Sequence, residues 1–277
     1  MQFKVLKKYN QRGWIPGPEE EKKPFEARIE ALDHFFSYPP EGIDRFLTDR
    51  DWTNASAITQ RLYDFTPDWI VAHYSNRRLS FFQGAATWIT EKKNLRIPLI
   101  QLREKFETGK LLGLYRRDEV LAHEAVHAAR MQFDEPFFEE IFAYRTSPRF
   151  LTRVFGPLFQ RTWEAYTFIL LLLLPIGIEI ATFLQYDLGP WIHLRCLPLL
   201  FFGCLTLRLV FLRSILVLAL GKLTKYIADP KKKWAVAFRL RDKEIFTFAL
   251  KSEAKISDFL KSQETLRWDF LSENYFK

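Results

Sequence analysis

Two long apolar runs dominate the hydrophobic pattern of the chain. Residues 166–184 contain one charged residue, Glu179, and residues 196–220 contain two, Arg208 and Arg213. A helix of about 20 mostly apolar residues crosses the hydrocarbon core of a bilayer. The pattern predicts two transmembrane helices that form a hairpin within residues 163–221. A pair of helices buried in a soluble core is the alternative.

Upstream of these runs, helical spacing of apolar residues alternates with strand-like segments. Helices are predicted over residues 25–38, from about residue 41, over 53–63, from Asp118, and from Pro136 to before Pro148. Short strands are predicted over residues 79–82, 85–90 and 96–102. The expected fold class is therefore α+β, with a mainly helical domain and a small β-sheet over residues 25–160.

The two ends of the chain have a different character. Residues 1–24 are rich in proline, glycine and charge, which predicts an N-terminal arm. After the second apolar run, residues 222–277 form a small C-terminal region, in which residues 234–241 alternate like a strand and a helix begins at Asp242. A region of this size is too small to fold alone, so we expect it to dock on the upstream domain or on a membrane face.

Charge changes this picture by suggesting an orientation. The chain has 41 Lys and Arg against 33 Asp and Glu. Many of the basic residues flank the two apolar runs: Arg145, Arg149, Arg153, Arg161, Lys222, Lys225 and residues 231–233. Basic flanks favour the cytoplasmic side, so we expect an integral membrane protein with two spans and with both termini in the cytoplasm. This distribution explains much of the charge without a nucleic acid partner.

One motif carries recognisable chemistry. His123-Glu124-Ala125-Val126-His127 lies within the helix predicted from Asp118 and has the form H-E-x-x-H. Residues four apart share a helix face, so both imidazoles can reach one ion. Zinc lowers the pKa of a bound water, and Glu124 is placed to accept its proton as a general base. The two cysteines are too few for a cysteine-rich zinc module.

A catalytic zinc site usually takes a third protein ligand. A histidine six residues after His127 would indicate a metzincin, but Phe133 occupies that position. The next predicted helix offers Glu139 and Glu140, and either carboxylate could complete a site with two histidines and one glutamate.

With these residues the sequence resembles the gluzincin branch of zinc metallopeptidases, distantly the membrane peptidases of the HtpX/Ste24 kind. Their third-ligand helix commonly reads E-x-x-A-D, and Glu140 to Ala143 match it, whereas Tyr144 replaces the aspartate. The resemblance implies a zincin-like domain, one Zn²⁺ per chain held by His123, His127 and Glu140, and endopeptidase activity. Glu139 is then the second choice for the third ligand.

Further residues are candidates for the substrate side of such a site. Ile97, Leu99 and Ile100 belong to the strand predicted over residues 96–102, which could be the edge strand that pairs with a peptide. Three tyrosines are candidates for stabilising an oxyanion: Tyr74, Tyr115 and Tyr144. Arg130 is a candidate for a substrate carboxylate, although a solvated or ion-paired arginine is commoner.

The expected partners are the lipid bilayer and a protein or peptide substrate, for which proximity to the bilayer suggests a membrane-associated polypeptide. No nucleic acid is expected, because no nucleic-acid-binding motif is recognisable. The alternative function is a non-catalytic membrane adaptor or scaffold, whose metal is structural or absent.

Overall fold

Helices dominate the computed structural model, which describes residues 2–37, 45–80, 83–92, 95–111, 113, 115–186 and 189–277. Before the apolar runs lie α1 (Gln2–Gln11), α2 (Lys22–Ser37), α3 (Asp49–Tyr63), α4 (Arg117–Ala129), α5 (Glu139–Tyr144) and α6 (Phe150–Phe155). The two long apolar helices are α7 (Thr162–Phe183) and α8 (Leu197–Leu223). The C-terminal region contains α9 (Lys233–Phe238), α10 (Asp242–Leu250), α11 (Glu253–Lys261) and α12 (Leu266–Asn274).

The strands form a three-stranded mixed sheet and a short ribbon. The sheet contains β1 (Val71–Tyr74), β2 (Ala85–Lys92) and β3 (Leu95–Leu102), and the ribbon pairs β4 (Lys110–Leu111) with β5 (Tyr115–Arg116). Many helices around a small sheet agree with the predicted α+β class.

The predicted edge strand is in fact the centre of the sheet. β3 pairs in parallel with β1 from Leu99 onwards and antiparallel with β2 along its whole length. Leu99 and Ile100 are therefore paired on both sides, and Ile97, in the same central strand, is paired with β2. Pro98 is tolerated because the β1 ladder begins one residue later. Among the described strands, β2 pairs only with β3 and is an edge of the sheet.

Two other local predictions differ from the structure. A strand was predicted over residues 234–241, but residues 234–238 belong to the helix α9. There Ala235, Val236, Ala237 and Phe238 are all buried. The alternation in the sequence does not correspond to alternating faces, because every side of this short helix meets the core. Residues 79 and 80 are not in a strand, and residues 81 and 82, like the helix predicted from about residue 41, lie outside the described residues.

The N-terminal segment is part of the folded body. Residues 2–11, predicted to lie in an arm, form α1, and α1 packs against α12. Trp14 is fully buried and stacks on Trp69 with 3.8 Å between ring centroids. Burial of this aromatic pair stabilises the packing of the N-terminal segment on the rest of the protein.

The helices α7 and α8 are each long and apolar enough to cross a membrane. Helix α7 is exposed along most of its length, whereas α8 contributes Leu205, Leu209, Leu212 and Leu216 to a large core cluster. The C-terminal region covers this part of α8, chiefly through α10.

An ion pair joins the two long helices near the start of α7. Arg208 donates to the carboxylate of Glu164, with Nη2 2.9 Å from Oε2, and to the carbonyl of Leu158. Arg208 of α8 is therefore paired with a residue in the first turn of α7.

Candidate metal centre

Helix α4 carries the H-E-x-x-H motif and is held between α3 and the sheet. Small apolar residues on its buried side, Ala122, Ala125 and Ala128, let the neighbouring elements approach closely. Asp118 and Glu119 occupy the first turn, where negative charge stabilises the helix dipole. The regular helix places His123 and His127 on one face.

Helix α5 brings the acidic residues to this face. Its buried Phe142 is fixed at both ends: the ring packs against Phe238, and the backbone carbonyl accepts a hydrogen bond from the Tyr63 hydroxyl at 2.6 Å. Because α5 has only six residues, these tertiary contacts set its position and direct Glu140 toward the histidines.

Three donor atoms converge between the helices. The Nε2 atoms of His123 and His127 are 3.3 Å apart, and the carboxylate of Glu140 lies 3.6 Å from His127 Nε2 and 3.9 Å from His123 Nε2. Ligand atoms at about 2.0–2.1 Å from a tetrahedral zinc ion lie about 3.3–3.4 Å from one another. One ligand atom from each of the three side chains lies within 4.8 Å of the other two, so the group could hold one divalent ion.

Glu139 lies behind this group. Its Oε1 is 3.2 Å from Nδ1 of His127, on the other side of the ring from the donor atoms that converge, and its Oε2 accepts from Nε of Arg130 at 2.6 Å. The structure therefore places Glu140, not Glu139, in the group that could hold a metal. The Arg130 side chain is fully buried and pairs with Glu139.

Glu124 also points into the site from α4 and is largely buried. Its Oε2 accepts a hydrogen bond of 2.7 Å from the hydroxyl of Thr87, which lies on the edge strand β2. Sequence reasoning did not identify Thr87, because it is 37 residues away along the chain and no motif marks it. Its contact connects the candidate general base with the strand beside it.

Burial and neighbouring charges determine the protonation of the centre. Burial opposes the charging of His127, but the carboxylates of Glu140 and Glu139 outweigh it and raise the pKa of His127 to about 10. Burial and the neighbouring His127 lower the pKa of His123. Burial also raises the pKa of Glu140 to about 7 and raises that of Glu124. The carboxylates around His127 thus favour a positive charge between the two helices.

The three candidate tyrosines are not equivalent. The ring of Tyr144 meets that of His123 edge-on, with 4.6 Å between centroids, and burial raises the pKa of its hydroxyl. Tyr74 accepts a hydrogen bond from Arg117, and Tyr115 is exposed under the guanidinium of Arg149. Of these three, only Tyr144 contacts one of the converging histidines.

A groove of about 380 Å³ adjoins the centre. His127 and Glu139 line it, together with Ile89 of β2 and Asp134 from the loop between α4 and α5. Its lining does not include His123, Glu124 or Glu140, so the groove lies on the Glu139 side of His127, next to the edge strand. A larger cavity of about 690 Å³, near Trp52 and Trp69, includes none of the candidate site residues in its described lining.

Comparisons of the chain with protein-family models, with curated proteins and with solved structures find no match. The chemistry of the centre is therefore argued from its donor atoms. Two imidazoles and one carboxylate suit a borderline-soft divalent ion such as zinc. Three protein ligands leave a coordination position for water, which is the arrangement of catalytic sites rather than of closed structural sites.

Proposed function

We propose that the protein is a membrane-anchored, zinc-dependent endopeptidase of the gluzincin type. The observation that carries this proposal is the convergence of His123, His127 and Glu140 beside the buried carboxylate of Glu124. A zinc ion held by these three side chains would supply Lewis-acid activation of water and of the scissile carbonyl.

The chain's own residues have separate roles in the proposed hydrolysis. Glu124 accepts a proton from the attacking water and passes it to the leaving amine, and Thr87 fixes the orientation of its carboxylate through the 2.7 Å hydrogen bond. Glu139 orients His127, and Arg130 keeps Glu139 in place. Tyr144 is the tyrosine best placed to donate a hydrogen bond to a developing oxyanion.

A polypeptide substrate is proposed because of the edge strand. β2 has one side unpaired among the described strands and carries Thr87, which contacts Glu124. A peptide that adds to this edge would bring its backbone past the carboxylate, and the groove by Ile89 would take its side chains. The strand therefore supports cleavage within a chain.

The anchoring rests on α7 and α8. Their length and composition suit two spans, and the basic residues on both flanks favour the cytoplasm for the metal centre and for both termini. The lipid bilayer is then a constant partner of the protein. The proposed substrates are proteins that lie in or against the membrane.

Metal analysis combined with a peptidase assay tests the function. Glu124→Gln should keep one zinc per chain and lose cleavage of an unstructured protein, because it removes the proton acceptor but none of the ligands. His123→Ala and Glu140→Ala should lose the metal. Glu26→Gln, an exposed acid on α2, is the matched control and should keep both properties.

Three results would contradict the proposal. Full zinc content in His123→Ala would exclude the site. Cleavage that persists in Glu124→Gln would exclude the base, and absence of cleavage in a zinc-loaded wild type would favour the adaptor or scaffold alternative.

A further inference from the structure

Helix α6 exposes an apolar surface next to the two long helices. Phe150, Leu151 and Phe155 are 65%, 67% and 55% exposed, and no residue of α6 is buried. Three large apolar side chains on one short surface helix are a costly exposure in water. This surface is distinct from the metal centre and from the groove beside it.

The position of α6 is fixed by α8. The guanidinium of Arg213 donates through Nη2 to the backbone carbonyls of Arg153 and Val154, at 2.6 and 3.0 Å. These carbonyls lie in the last turn of α6, where backbone acceptors are otherwise unpaired. The helix is thus attached by its backbone, while its apolar side chains remain on the outside.

Exposed aromatic residues also begin α7, which six residues separate from the end of α6. Trp163 and Tyr166, in the first turns of α7, are 55% and 49% exposed. Aromatic residues of this kind concentrate at the boundary between the hydrocarbon and the headgroups. Helix α6 therefore lies close in sequence to the end of a candidate span, where such a boundary is expected.

Charge identifies the occupant of this surface. Residues 145–162 contain four arginines and no acidic residue. Arg149 pairs with Glu119, and Arg145 stacks on Trp234. The charge that borders the outer surface therefore comes chiefly from Arg153 and Arg161. Apolar side chains bordered by arginines complement an anionic lipid surface, in which acyl chains lie below phosphate groups. A second copy of the chain would instead bring the same arginines together around a twofold axis, with no acid in this segment to compensate them.

We propose that α6 lies in the headgroup layer of the bilayer that α7 and α8 cross, with Phe150, Leu151 and Phe155 reaching the acyl boundary. The inference rests on the proposed membrane anchoring. Only residues 145–149 separate α6 from α5, which carries Glu140. The metal centre is therefore held at the membrane surface, and its substrates are polypeptide segments that emerge from the bilayer.

Spin-label accessibility tests this contact in the full chain. A nitroxide is attached at Leu151→Cys, with Phe155→Cys as a second position, in a protein whose Cys196 and Cys204 are replaced by alanine. The protein is placed in vesicles of phosphatidylcholine and phosphatidylglycerol. Labels at Leu173→Cys of α7 and Val5→Cys of α1, both on exposed side chains, mark the bilayer interior and the aqueous phase.

The labels at 151 and 155 should be accessible to oxygen, which dissolves in the bilayer. Their accessibility to a water-soluble nickel chelate should be several-fold lower than that of the label at 5. Nickel accessibility at 151 and 155 equal to that at 5, with 173 in lipid, overturns the inference while the anchoring stands. Nickel accessibility at 173 overturns the anchoring itself. Protection of 151 from both reagents means that protein covers the surface and also overturns the inference.

Discussion

Glu139 is the residue that most changes the interpretation of the centre. Sequence spacing allowed it as a metal ligand, but its carboxylate lies at Nδ1 of His127 and is held there by Arg130. In the resembling peptidases an aspartate supports a zinc-bound histidine, and here Tyr144 occupies that place in the sequence. In this chain the carboxylate at the outer ring nitrogen of His127 belongs to Glu139, the residue before Glu140.

Replacing Glu139 by glutamine should weaken metal binding without removing it. The amide side chain would keep the volume and one acceptor oxygen, but it would lose the charge that raises the basicity of His127. Loss of such a partner typically lowers zinc affinity about 10–100-fold, and competition with a chelator of known affinity measures it. Glu26→Gln should leave the affinity unchanged, and an unchanged affinity in Glu139→Gln would refute this role.

At the level of residues, spacing alone predicted that His123 and His127 share a helix face, and the structure brings their Nε2 atoms to 3.3 Å. Spacing did not identify Thr87, and it could not choose between Glu139 and Glu140. Their directions depend on how α5 and β2 pack against α4, which long-range contacts such as that of Tyr63 with Phe142 decide.

At the level of elements, the long periodic segments were predicted well and the short ones less so. Helix α4 and the two apolar helices follow from sustained patterns of more than ten residues. The order of the sheet does not, because the central position of β3 depends on β1, a four-residue strand that the pattern missed. Helix α9 was mistaken for a strand because burial on all sides removes the periodicity on which the prediction depends.

The contact between α5 and the turn after α6 offers a test at this scale. A β-carbon on Gly156 would lie 2.2 Å from Cδ1 of Tyr144, whose ring contacts His123. Gly156→Ala should therefore displace Tyr144 and destabilise the protein by about 1–3 kcal/mol through overpacking. Thermal unfolding and zinc affinity measure the two effects.

Gly177→Ala is the matched control, because Gly177 lies in α7 with open space where its β-carbon would be. It should leave both properties unchanged or raise stability slightly, since alanine favours helix. Equal unfolding midpoints and equal zinc affinities in the two variants would show that Tyr144 moves aside without cost.

For the whole molecule, the two halves of α8 have different surroundings. Its first half is largely exposed, whereas residues from Leu205 onwards enter the core shared with α5, α9 and α10. The Arg208–Glu164 pair lies near the transition and joins α7 to this core. The expected span over residues 196–220 is therefore, in its second half, also a structural helix of the domain.

Removing one member of this pair should be more harmful than removing both. Arg208→Leu leaves the carboxylate of Glu164, only 3% exposed, without its cation. A buried charge that loses its partner costs about 3–5 kcal/mol. The double variant Arg208→Leu with Glu164→Gln should recover much of this loss in the unfolding midpoint, and equal losses in the single and double variants would contradict a coupled pair.

The buried Arg130 also links the metal centre to the end of the chain. Besides Glu139, it donates to the backbone carbonyls of Phe238 and Leu240, which lie 108 and 110 residues downstream. During synthesis, the two histidines and both glutamates leave the ribosome long before these carbonyls exist. A nascent chain therefore has every proposed ligand but lacks the backbone carbonyls that hold Arg130 in place. If the site binds metal as proposed, firm binding is thus delayed until translation has passed both apolar helices.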